Sequence, residues 1–250
     1  MRLIEYPSYT QNKAQNILAL AIIAGIILCL LSIFVAHILL AAVPFLMLYA
    51  LLEGGDALSA GYSTWVRGYQ GEKQVKMLLS ALPDTFTLVT AFAAPNSKQG
   101  DTDAVLIGPH GVLVMEVKTY AGCIEFESGK WYRRTSNNYR IALRANPSAQ
   151  AKRNEASVAR FVGQQLGVTP SAAQFPVPCY CSVVFCETQQ LNTPGLQAVH
   201  AVLAKDILRL VASLQPTLNT QQVSTLSLVF LEASRSANSA LKQRKAARTV

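Results

Sequence analysis

Three residues of this 250-residue chain interrupt otherwise apolar segments: Asp103 in TDAVLI, and Glu116 and Lys118 in VLVMEVKT. Residues two apart on a strand share a face, so Glu116 and Lys118 project together with Val112 and Val114, while Leu113, Met115 and Val117 point the other way. Both faces are largely apolar, as in a covered central strand. A carboxylate and an ammonium are costly there unless paired or metal-bound. The turn Gly108-Pro109-His110-Gly111 decides whether Asp103 joins them. A two- or four-residue loop around Pro109-His110 sets Asp103 opposite Glu116, with Cβ atoms about 4.5–5.5 Å apart. A type I turn with Gly111 in a bulge sends the two carboxylates to opposite faces. The sequence permits both. His110, at the turn tip, reads as solvated.

Asp, then Glu-x-Lys across a hairpin, suits one kind of chemistry. Two adjacent carboxylates repel, and a divalent cation between them relieves the repulsion. Their hard oxygen atoms suit Mg²⁺ or Mn²⁺. A metal so held polarises a scissile phosphate and acidifies a bound water. The Lys118 ammonium would position that water and stabilise charge in the transition state. Other catalytic patterns are missing: the sequence has no GxxxxGK[ST], no HExxH and no GxSxG, and only three His.

The elements that must position these residues are readable from periodicity. Gly71–Leu82 is an amphipathic helix stopped by Pro83. Thr85–Phe92, Thr102–Ile107 and Val112–Thr119 read as strands, and Ala94–Gly100 as a polar loop. Gly122–Glu127 and Lys130–Arg134 form a hairpin around Ser128-Gly129. A helix opens at Asn146-Pro147, with Asn as N-cap and Pro at the first helical position, and runs to Leu166. Tyr180–Cys186 and Ala198–Leu203 read as strands; Lys205–Leu214 and Thr220–Leu231 read as helices. The order predicts an α/β fold. Cys179 and Cys181 fall on one strand face and Cys186 on the other. They lack partners at zinc-ligand spacing and read as core cysteines. Five Cys overall suit a reducing compartment.

Charge is uneven. The chain is 51% hydrophobic and 14% charged, and Ala14–Leu52 contains no Asp, Glu, Lys or Arg. Residues 17–52 are expected to form two short transmembrane helices, turning near Ala36-His37, because one helix of that length would far exceed a bilayer core of about 30 Å. Lys and Arg flank the stretch on both sides, which places both ends in the cytoplasm. Beyond residue 56 the net charge is +9, which suits a polyanionic partner.

The stretches GEKQVKMLLSAL, TDAVLIGPHGVLVMEVKTYAGCIE, Trp131 and NPSAQAKRN resemble, in that order, the nuclease-related domain (NERD) family, over about residues 66–190. The resemblance implies a restriction-endonuclease-like fold of the PD-(D/E)xK superfamily: a mixed sheet flanked by helices, here preceded by a transmembrane helical hairpin. It implies catalytic roles for Asp103, Glu116, Lys118 and Gln150. It also implies a metal set of Glu72, Asp103 and Glu116 for Mg²⁺ or Mn²⁺.

Lys130, Arg133, Arg134, Arg140, Arg144, Lys152 and Arg153 follow the proposed active strand and are the candidate track for a phosphate backbone. Nothing among them looks like a base-reading element. The expected organisation is a cytoplasmic N-terminus (1–16), the hairpin (17–52), a linker (53–65), the nuclease-related domain (66–190), a C-terminal α/β extension (191–234) and a basic tail (235–250). The expected protein is a multi-pass inner-membrane nuclease of bacterial type, with its catalytic domain in the cytoplasm. It would act on DNA with little sequence specificity, RNA being left open, and would have the lipid bilayer as a second partner. The rival expectation is a non-catalytic nucleic-acid-binding or scaffold protein of the same fold.

Overall fold

The computed structural model describes residues 1–5, 17–28, 62–94, 101–135, 137–167 and 177–246. The chain divides into two units, Met1–Ser8 with Gly71–Val250, and Tyr9–Gln70. Residues 17–28 form helix α1, and a second helix, α2, covers 62–79. The expected linker is therefore helical from residue 62.

The membrane expectation needs correction. No helix among the described residues is long and apolar enough to cross a membrane. The multi-pass inner-membrane localisation, the cytoplasmic placement that depended on it and the bilayer as partner are withdrawn. The remainder of the expected hairpin, 29–52, lies outside the described residues, as do the linker up to 61 and most of the polar loop Ala94–Gly100.

The larger unit is built on a six-stranded mixed sheet. Its strands are β1 (Arg2–Glu5), β2 (Thr87–Phe92), β3 (Thr102–Gly108), β4 (Gly111–Lys118), β8 (Cys179–Phe185) and β10 (His200–Leu203), in the order β1-β2-β3-β4-β8-β10. β2, β3 and β4 are antiparallel neighbours; β1 joins β2 in parallel, and β8 and β10 extend the sheet from β4 in parallel. β1 was unforeseen, because four residues at the start of the chain carry no periodic signal.

Alternation along the strands sends apolar residues to both faces, and both faces are covered. Val89, Val105, Ile107, Val112 and Val114 pack with Val158, Phe161 and Val162 of α3 (Pro147–Leu166) and with Val223, Leu226 and Phe230 of α5 (Thr220–Ala246). Leu88, Ala104, Leu106, Leu113 and Met115 pack with Val75 and Leu79 of α2 and with Ile207, Leu210 and Val211 of α4 (Ile207–Ser213). α5 runs well past Leu231, through most of the expected tail.

A four-stranded sheet adjoins this core, in the order β7 (Arg140–Ala142), β6 (Lys130–Arg134), β5 (Gly122–Glu127) and β9 (Thr188–Asn192). Its inward residues Ile124 and Trp131 meet Phe185 and Ala151 in a third apolar cluster.

Candidate active site

The β3–β4 hairpin places the chemistry. Gly108 pairs with Gly111 across the two-residue loop Pro109-His110, and the ladder runs evenly to Ala104 and Met115. Continued by one residue, this register sets Asp103 opposite Glu116, the first of the two registers left open by the sequence, and the charge of Glu116 acts on Asp103. The backbone N–H of Val117 donates to Asp103 Oδ2 at 2.7 Å, tying the two strand ends together. Two glycines hold the turn in this form. Gly111 has φ +107° with Pro178 O only 2.3 Å from where a Cβ would stand, so a side chain is excluded both by conformation and by space.

Glu116 is 1% exposed although it carries a carboxylate. Each of its oxygens has a donor. Lys118 Nζ donates to Oε1 at 2.6 Å, and Asn154 Nδ2 donates to Oε2 at 2.9 Å. Lys118 Nζ also donates to Gln150 Oε1 at 3.2 Å. Gln150 and Asn154 lie one turn apart on α3, so they share one face of that helix.

The start of α3 is fixed by its sequence. Asn146 caps it by accepting from Ala149 N at 3.1 Å, Pro147 opens the first turn, and Ser148 Oγ donates to Asn146 Oδ1 at 2.8 Å. Trp131 Nε1 donates to Ser148 Oγ at 3.0 Å, joining the small sheet to the helix start. Trp131 is a packing residue, 2% exposed.

Glu72 approaches from α2. Gly71 permits this: a Cβ there would stand 2.5 Å from Thr119 Cγ2 and 3.3 Å from Val117 Cγ1, at the end of β4. The charges at this strand end interact. Burial pushes the Asp103 carboxyl well above its ordinary range, and the charges of Glu116 and Glu72 push it further. Burial also raises Glu116, against the pull of Lys118. Burial draws Lys118 down, but attraction to Glu116 and Asp103 outweighs it and the ammonium is held.

The structure thus brings Asp103, Glu116, Lys118 and Gln150 together, with Glu72 near enough to act on Asp103. It does not assemble a ready cage. Among the described residues, no three Asp, Glu, His or Cys side chains stand close enough to hold a metal by themselves. The facing pair Asp103 and Glu116 still fits Mg²⁺, which is commonly held by one or two carboxylates with waters and substrate phosphate completing the shell. Burial and the charges of Glu116 and Glu72 all disfavour the Asp103 carboxylate, and a bound cation would offset them. Cys179, Cys181 and Cys186 are free, and burial pushes all three thiols up to about 12. They stay protonated and are poor metal ligands.

The basic track is divided. Arg134 and Arg140 are paired with Glu125, Arg140 also with Glu127, and Lys152 with Glu155. The Arg140 guanidinium lies 3.8 Å from the centre of the Tyr132 ring. None of Lys130, Arg133, Arg144 and Arg153 is in an ion pair among the described residues, and Arg153 is near enough to Glu116 to pull its carboxyl down.

Two residues of consequence escaped the sequence reading. Asn154 closes the NPSAQAKRN stretch but was given no role of its own; its place four residues after Gln150 was the available signal of a shared face. His110 is not solvated but 2% exposed, with its ring 5.7 Å from that of Phe86 and 6.4 Å from that of Tyr180.

A mixed sheet flanked by helices, with an Asp and a Glu-x-Lys at the end of its central hairpin, fits the restriction-endonuclease-like class of fold. Residues 67–186 match the nuclease-related domain family, a stretch that begins within α2 and takes in the β3–β4 hairpin, α3 and β8. No curated protein and no solved structure matches the chain.

Proposed function

We propose that this protein is a divalent-metal-dependent nuclease that hydrolyses DNA phosphodiester bonds with little sequence specificity. The observations that carry the reading are the β3–β4 register, whose extension by one residue sets Asp103 opposite Glu116, and the Lys118 ammonium bonded to Glu116. Asp103 and Glu116 would hold Mg²⁺ or Mn²⁺, supported by Glu72. When bound, such an ion supplies Lewis-acid polarisation of the phosphate and an acidified water. Lys118 keeps its proton and places a positive charge where the phosphate gains negative charge. Gln150 accepts from the same ammonium and sets its direction. Lys130, Arg133, Arg144 and Arg153 would hold the DNA backbone; they carry no base-reading geometry, so recognition would follow charge.

One observation favours a second reading. Both oxygens of Glu116 already have protein donors, so the site is satisfied without metal. A nucleic-acid-binding protein of the same fold, without cleavage, is consistent with that. Cleavage of plasmid and linear DNA by the full chain, with Mg²⁺ or Mn²⁺, separates the two. The nuclease reading expects metal-dependent cutting that disappears in Asp103→Ala and in Lys118→Ala. Well-folded protein that binds DNA and never cuts it would establish the second reading.

A further inference from the structure

We propose that Asn154 is a positioning residue for the metal-holding carboxylate of Glu116. The proposal rests on the nuclease reading above. Asn154 lies mid-helix on α3 and is 6% exposed. Asn is a weak helix former, and a buried amide is costly unless hydrogen-bonded. Its buried neighbours on that face, Ala151 and Val158, are apolar. Packing alone would be better served by another apolar residue. What Asn supplies is a donor, and that donor goes to Glu116 Oε2 at 2.9 Å.

The effect of that bond is orientational. The terminal torsion of a Glu side chain is broad and roughly two-fold when free. Here one donor stands at each oxygen, Lys118 at Oε1 and Asn154 at Oε2, so the carboxylate plane is fixed. Lys118 is itself held by Gln150. The chain Asn154–Glu116–Lys118–Gln150 begins and ends on α3, which is anchored through Trp131 and Ser148. Each Glu116 oxygen retains a second lone pair for another partner. Asn154 also does this without charge: a Lys or Arg there would repel a cation, and an Asp would add a competing carboxylate.

The test measures Mn²⁺ binding to the full chain without DNA, by isothermal titration calorimetry, together with steady-state cleavage. Asn154→Ala is expected to weaken Mn²⁺ binding about 10–100-fold, the usual cost of losing a partner that orients a metal ligand. It should lower kcat by a similar factor and leave KM for DNA unchanged. Asn154→His, which keeps a ring N–H donor, should recover part of both. Asn154→Leu keeps the volume without the donor and replaces Asn154→Ala if circular dichroism shows that variant unfolded. Wild-type Mn²⁺ affinity in a folded donorless variant overturns the role of Asn154 alone. Wild-type protein that binds no Mn²⁺ overturns the metal-site reading and this proposal with it.

Discussion

At the turn end of the β3–β4 hairpin, His110 is packed between Phe86 and Tyr180, and its Nε2 has no hydrogen-bond partner. At the open end, Asp103, Glu116 and Lys118 are crowded together, with Glu116 and Lys118 linked by hydrogen bonds to α3 and Asp103 to the backbone N–H of Val117. Both ends of the same hairpin bury ionisable groups. The turn end excludes charge: burial draws His110 down to about 4, so it is neutral at ordinary pH. The open end concentrates charge and offsets it with partners. The first arrangement keeps a neutral ring in an aromatic setting. The second weakens the fold locally and leaves groups poised for a substrate, as expected of a functional site.

The largest expected effect is at the open end. Lys118→Met removes the cation from a pair in which Glu116 is buried. Losing one partner of a buried pair typically costs about 3–5 kcal/mol, because the other charge is left uncompensated. Urea unfolding at pH 7.5 should show that loss, and cleavage should fall to background. A variant as stable as wild type would mean that Glu116 is protonated and the ion pair is not the organising feature.

Next comes the turn end, where the sign follows from the lowered value. His110 is held below its ordinary 6.5, so its contribution to stability is present above pH 6.5 and lost as pH falls towards 4. The loss amounts to about 3 kcal/mol. His110→Phe should abolish this part of the pH dependence. Unfolding free energies at pH 7, 5.5 and 4.5 for both proteins provide the check; parallel curves would place the acid sensitivity elsewhere.

The opposite sign holds for Asp103. Its carboxyl is raised above the ordinary 3.8, so its contribution is present at low pH and is lost as pH rises from 3.8 through the folded value. Asp103→Asn should therefore stabilise the metal-free chain at pH 8, by about 0.5–2 kcal/mol on the scale of common stabilising substitutions, while eliminating cleavage. A melting temperature that falls in this variant would show that the carboxylate is welcome in the apo site and that the contrast between the hairpin ends is false.

Why one end was legible and the other was not is a matter of sequence distance. Asp103, Glu116 and Lys118 stood out because polar residues break an apolar alternation, and that signal is local. The Asn146-Pro147 start of α3 was equally local, and Lys130–Arg134 was delimited by Ser128-Gly129. His110 looked solvated because turn residues usually are; what covers it, Phe86 and Tyr180, comes from far along the chain. β7 and β9 were missed because RIA is three residues and TQQLN lacks apolar alternation; both are strands by virtue of their neighbours β6 and β5. The apolar run from 17 was weighed by composition, and composition does not establish a spanning helix.

The smallest effects concern the cations around the open end, and they test how far its charge extends. Arg134 and Arg140 have exposed sides but are tied to Glu125 and Glu127, so releasing them to DNA means breaking those pairs. Exposed pairs contribute about 0–1 kcal/mol, so Arg140→Ala should barely alter stability. It should also barely alter DNA affinity. Arg153, which is exposed on α3, acts on Glu116 by charge and is in no ion pair among the described residues, should behave differently. If it contacts a phosphate, Arg153→Ala weakens DNA binding similarly for all sequences and lowers the slope of log affinity against log salt by about 1. Fluorescence anisotropy across a salt series, in Ca²⁺ to prevent cutting, measures both variants side by side. Equal slopes for the two would mean that DNA does not approach along α3, and that the charge gathered at the open end of the hairpin serves the site alone.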